Sequence, residues 1–212
     1  MRMGRLTAAV AVAAMVAILY AAPQAQGGGQ RGGGGGRGAG APAAAQGGAA
    51  PMRLMSYSFL DGGLMPVKYT QAGEQASPQL AWANAPMGTQ SYVLHMHDME
   101  GARNKTTDDQ LHWLVWNIPV ETRALPEGVP MGDLKDGSHQ TSATGNGVYR
   151  GPGAPANGPY HHYVFELFAL DTKIDVPANP ADPFDTRTKV LAAIQGHVLG
   201  KAVYLGFFRR PS

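Results

Sequence analysis

Short stretches of alternating residues, separated by turn formers, predict an antiparallel, all-β-dominated domain with one late helix. Three observations carry this expectation. Two stretches alternate cleanly. Ser91–Asp98 puts Tyr92, Leu94, Met96 and Asp98 on one face and Val93, His95 and His97 on the other; His161–Leu170 puts His161, Tyr163, Phe165 and Leu167 opposite His162, Val164, Glu166 and Phe168. Turn signals recur between such stretches, at Asp61-Gly62-Gly63, Ala85-Pro86-Met87-Gly88-Thr89 and Pro126-Glu127-Gly128. A helical stripe (Val190, Leu191, Ile194, Val198) occurs near the C-terminus, with Asp185 or Thr186 as cap and Gly200 as stop.

Ahead of the domain, residues 1–22 read as a secretory signal. Arg2 and Arg5 open it, an apolar run extends from Leu6 to Tyr20, and Ala21, Ala22 and Ala25 are small. The run is short for a membrane span. Tyr20 and Pro23 sit where a cleavage site favours small residues, so an uncleaved anchor stays open. A periplasmic or secreted location is expected, and the absence of cysteine permits an oxidising compartment. Residues 23–52, largely Gly, Ala, Gln and Pro, bury too little apolar surface to offset their ordering entropy and read as a flexible tether. The rest of the 212-residue chain, 53–212, is long enough for a sizeable core. The net charge of +2 includes Arg2, Arg5, Arg31 and Arg37; without them the domain is slightly acidic, so no nucleic-acid partner is expected.

Within the domain, Met52–Phe59 is the expected first strand and Val67–Thr70 a short second one after Pro66. Ser77–Trp82 is extended, Ser91–Asp98 is a strand, residues 101–110 form a polar loop, and Leu111–Ile118 is an aromatic-rich strand closed by Pro119. Residues 132–147, which hold Asp133, Asp136, His139 and Asn146, read as loop. Pro177, Pro180 and Pro183 forbid regular structure. The helix then runs to about Leu199, and Ala202–Phe208 is the last strand.

The chain is organised around the Gly/Pro loop that starts at Gly151-Pro152 and feeds the strand opened by His161. His161 and Tyr163, two apart on one face, can reach one small ligand. Bare amides in a Gly-rich turn suit an anion. The plainer reading is a connecting loop followed by a core strand with polar residues at its mouth. His112 and His161 each begin a strand, and Asp98 ends one. If those strands share a sheet, both histidines and Tyr163 could donate to a phosphate-sized anion while Asp98 fixes an imidazole tautomer.

His95-Met96-His97 suggests a metal instead: two histidines on one strand face can chelate zinc, with His112 or Asp98 as a third ligand. Parity turns His95 and His97 away from Asp98, and a solvent-facing pair is the simpler reading. No metal and no cofactor are expected. There is no Gly-x-Ser-x-Gly elbow, no cysteine nucleophile, and no Gly-x-Gly set between a strand and a helix.

A series of motifs runs through the domain: Phe59-Leu60-Asp61-Gly62-Gly63, Pro66-Val67-Lys68-Tyr69-Thr70, Ser77-Pro78-Gln79-Leu80-Ala81-Trp82, His112-Trp113-Leu114-Val115-Trp116-Asn117-Ile118-Pro119, Tyr149-Arg150-Gly151-Pro152 and His161-His162-Tyr163-Val164-Phe165. Taken together, they resemble the phosphatidylethanolamine-binding protein family, in its bacterial, Raf kinase inhibitor-like branch. The resemblance spans about Ser56 to Arg209. It implies a β-sandwich-like antiparallel core with a C-terminal helix and an anion pocket for phosphate headgroups. The family's pocket aspartate looks like Asp98, its strand-opening histidine like His112, its loop like Gly151-Pro152, and the histidine and tyrosine of its His-Arg-Tyr motif like His161 and Tyr163. Several positions depart from the pattern. Asp98-Met99-Glu100-Gly101-Ala102 lacks both prolines of Asp-Pro-Asp-Ala-Pro, which removes rigidity beside the pocket. His162 replaces the motif arginine, Gly153-Ala154-Pro155 replaces Cys-Pro-Pro, and Phe208 stands where a tyrosine is common.

The expected function is an exported, non-enzymatic binding module with a small anionic ligand, phosphate or phosphoethanolamine-like. Membrane contact is expected only through headgroups or an uncleaved signal. Two alternatives stay open: a protein inhibitor of a kinase or protease whose partner docks on surface loops, and a zinc-dependent hydrolase at His95 and His97.

Overall fold

The computed structural model describes residues 50–212; the expected signal and nearly all of the expected tether lie outside the described residues. In chain order the elements are β1 (Arg53–Met55), β2 (Gly63–Leu64), β3 (Leu80–Ala83), β4 (Ser91–Asp98), β5 (Gln110–Pro119), β6 (Ala124–Leu125), β7 (His139–Thr141), β8 (His161–Leu170), α1 (Pro183–Ala193) and β9 (Val198–Phe208). Short 3-10 turns occupy Val67–Tyr69 and Arg103–Lys105. No helix among the described residues is long and apolar enough to cross a membrane.

The strands form two sheets, a six-stranded one ordered β2-β9-β8-β4-β5-β7 and a three-stranded one ordered β1-β3-β6. Pairing is antiparallel except between β2 and β9. The alternation in β4 and β8 divides the core in two. Tyr92, Leu94, Met96, Phe165 and Leu167 pack against Leu54, Leu80 and Trp82 of the small sheet. On the opposite face Val93, Leu114 and Trp116 pack against Ile174, Val176, Val190 and Ile194, so the 171–176 segment and α1 cover it. The result is the expected all-β-dominated, sandwich-like core with one helix near the C-terminus.

Local differences have local causes. Val67–Thr70 is a turn and not a strand, because the backbone N–H and the hydroxyl of Thr70 both donate to the Val67 carbonyl, at 3.0 and 2.9 Å. Residues 139–141, expected as loop, form edge strand β7 against Leu114–Trp116; three polar residues carry no alternation signal. Pro183 opens α1 and does not forbid it, since a proline at the first helical position loses nothing. Asp182, not Asp185, is the cap, accepting from the Asp185 N–H at 2.9 Å. The helix ends early because Gly196, at φ +81°, turns the chain into β9. Val198 is therefore a strand residue, and Gly200 is required by packing: a Cβ there would lie 2.7 Å from Pro86 Cγ.

Candidate functional site

The large sheet places β4 between β8 and β5, so Asp98 ends the central strand of the three that carry the candidate residues. Asp98 lies directly across from Tyr163 on β8, and His161 follows two residues along the same face. His112 comes from the other side. The β4–β5 register passes from Met96↔Trp113 to His97↔Leu111, leaving His112 as the extra residue of a bulge. Such a bulge re-aims a side chain, and the His112 ring stands edge-on to Tyr163 at 5.1 Å. The group opens into a cavity of about 230 Å³ lined by Asp98, His112, His161, Gln110, Arg150 and the 153–155 segment, with Gln71 at its edge.

Each histidine uses Nδ1 internally. His161 Nδ1 donates to Asp98, at 2.8 Å to Oδ2 and 3.1 Å to Oδ1. This is the orienting contact expected of Asp98. His112 Nδ1 lies 2.8 Å from the Arg150 carbonyl, which only accepts, so Nδ1 carries the proton. Burial holds His112 down at about 4, although the Arg150 carbonyl and Asp98 favour the charged ring. Neutral, it presents an Nε2 lone pair and not a donor. The expected donation from His112 therefore needs a further proton. Tyr163 is fully buried, and burial beside Asp98 pushes its hydroxyl well above the usual phenol range.

The loop behaves differently from expectation. The amides of Gly153 and Ala154 are not bare: they donate to Tyr163 Oη at 3.1 and 3.0 Å. Tyr163 thus ties down the loop and does not itself line the cavity. Gly151 and Pro152 anchor the loop behind the cavity wall. Their carbonyls accept from Gln71 Nε2 at 2.8 Å and the Gln71 N–H at 2.9 Å. Gly151 is glycine because a Cβ would lie 2.6 Å from the Tyr69 carbonyl. The missing prolines beside Asp98 are replaced by polar contacts. Asp98 Oδ1 accepts from the Glu100 N–H at 3.0 Å, and Glu100 in turn accepts from the His162 N–H at 2.7 Å and from the His162 ring. Sequence reasoning missed Arg150, the cation of the cavity. Its position just before the Gly-Pro loop was the available signal.

His95 and His97 do lie on the other face, as parity required, but they are buried and not solvent-facing, at 4% and 9% exposure. The segment 107–109 and α1 enclose them, and the third donor beside them is Glu166, not His112 or Asp98.

The sequence model of the phosphatidylethanolamine-binding protein family matches residues 55–209. A UPF0098 protein of Methanothermobacter thermautotrophicus is 38% identical over 161 residues, which are 75% of this chain and 99% of the relative. Among solved structures, a phosphatidylethanolamine-binding protein homolog from Chlamydia trachomatis has a TM-score of 0.64 at 26% identity, covering 76% of this chain and 98% of its own. Escherichia coli YbcL shares the fold with a TM-score of 0.66 at 24% identity, covering 76% and 99%.

Proposed function

Because the chain belongs to the phosphatidylethanolamine-binding protein family, we propose that it is a non-enzymatic module that binds a phosphate-bearing headgroup or a similar small anion. The observation that carries this reading is the convergence of His112, His161, Asp98 and Arg150 on one cavity of about 230 Å³. Arg150 supplies fixed positive charge, and a planar guanidinium suits phosphate oxygens. His161 donates through Nε2 when protonated, with Asp98 compensating the charge. His112 accepts through Nε2, which suits a phosphomonoester that still carries one proton. The order of charged, apolar and small residues in 1–22 supports export.

With Nδ1 of both rings committed, the neutral rings offer only lone pairs, so an anion held by Arg150 engages either imidazole only with a proton on itself or on His161. A phosphomonoester gains that proton near pH 6. Binding is therefore expected to tighten as pH falls from 8 to about 6. Calorimetric titration of phosphoethanolamine tests the site. His161→Ala should cost roughly 1.5–3 kcal/mol, the range for a charged hydrogen bond, and His95→Ala almost nothing. Equal losses in both variants would place the site on the wrong face.

A further inference from the structure

On the helix-covered face of the large sheet, His95 and His97 of β4 and Glu166 of β8 form a group that the anion pocket does not use. His95 and Glu166 are direct cross-strand partners. The two imidazoles are stacked, with centroids 4.5 Å apart and planes within 4°. His95 Nδ1 lies 3.6 Å and His97 Nε2 3.5 Å from the same oxygen, Glu166 Oε2. Those separations are long for hydrogen bonds. Among the described residues, both nitrogens of His95 and Nε2 of His97 are buried without a hydrogen-bond partner. Native proteins rarely leave so many buried polar atoms unsatisfied in one place.

The two separations from Glu166 Oε2 are those of neighbouring ligands around a metal, all three donors lie within 4.8 Å of one another, and a turn of one ring out of the stack would aim both lone pairs at one ion. With zinc bonds of about 2.0–2.2 Å in a tetrahedral site, neighbouring donor atoms stand about 3.4 Å apart. The geometry points to a binding site for a divalent transition metal of the zinc type, held by His95 Nδ1, His97 Nε2 and Glu166 Oε2. The fourth position would face a cavity of about 400 Å³ that Thr107, Asp108 and Leu191 help to line. Two imidazoles and a carboxylate suit zinc.

The surrounding contacts aim these donors. Asp109 accepts from His97 Nδ1, which turns the Nε2 lone pair inward. Arg187 Nη1 holds Asp109 Oδ1 at 2.6 Å. Lys201 takes Glu166 Oε1 and leaves Oε2 toward the histidines. Outer carboxylates of this kind orient metal-binding histidines. A second donor group, Asp98, Glu100 and His161, is equally close-set but already engaged in internal hydrogen bonds. The inference concerns binding and implies no hydrolysis.

The test is a Zn²⁺ titration of the chelator-stripped full chain against a chromophoric competitor. One zinc per chain is expected, with a submicromolar Kd. His95→Gln and Glu166→Gln should each weaken it more than about 100-fold, beyond the 10–100-fold typical of an outer partner; Asp109→Asn should fall within that range. His197→Gln, at the surface pair with Asp171, should change nothing. Thermal unfolding in chelator checks that each variant folds. Should one not fold, anomalous diffraction from zinc-soaked crystals of the unaltered protein still decides: a peak between the three donors supports the site, and its absence overturns it. Zinc binding that survives both ligand substitutions, or no stoichiometric binding at all, also overturns it.

Discussion

Each imidazole at the pocket mouth has already spent one nitrogen on the protein, and that decides what it can offer a ligand. Proton positions follow from the partners: a carbonyl at His112 and a carboxylate at His161. For His112 the same burial has a consequence for stability. Its folded value of about 4 lies below the imidazole reference near 6.5. Above about pH 6.5 neither state binds the proton. Below it the unfolded chain takes up a proton that the folded one refuses, so stability falls as pH drops from about 6.5 toward 4. The loss is on the order of 3 kcal/mol at most. Urea midpoints measured at pH 7 and pH 4.5 should show this drop, and His112→Gln should reduce it. An unchanged drop in the variant would mean that other groups set the acid limit.

At the scale of elements, the loop wall depends on a close backbone approach. Gly151→Ala would drive a methyl into the Tyr69–Thr70 turn, where a Cβ lies 2.8 Å from Thr70 Cα. Overpacking of this kind costs roughly 1–3 kcal/mol. Denaturant unfolding should show that loss, and phosphoethanolamine binding should weaken because the 153–155 wall moves. Full stability in the variant would show that the turn yields. The elements legible in the sequence were those with a strong period. The sequence reading of β4 and β8 as strands agrees with the structure, and parity separates Asp98 from His95 and His97 within β4 and His161 and Tyr163 from Glu166 within β8. Register was not legible. Only pairing sets Glu166 opposite His95, and only the bulge at His112 turns that ring toward Tyr163. The helix end was misplaced because Val198 continues the apolar spacing of α1 although the chain has already reversed at Gly196. Amides in the loop read as free from sequence alone, because nothing local reveals that Tyr163 claims them.

At the scale of the described residues as a whole, one sheet carries two separate polar groups: the candidate pocket at the ends of β4, β5 and β8, and the histidine–glutamate group beneath α1. The family match begins at residue 55, and the core begins at Leu54. Deleting residues 1–49 should therefore leave a folded domain. Its melting temperature should stay within about 3 °C of the longer chain. A fall beyond about 8 °C, some 2–4 kcal/mol for a domain this size, would mean that the deleted segment contributes to the fold. The central claim remains the pocket, and a crystal grown near pH 6 and soaked in phosphoethanolamine tests it most directly. The account predicts density for the phosphate within hydrogen-bond reach of His112 Nε2, His161 Nε2 and the Arg150 guanidinium. An empty cavity at millimolar ligand, or a phosphate bound elsewhere, would contradict it.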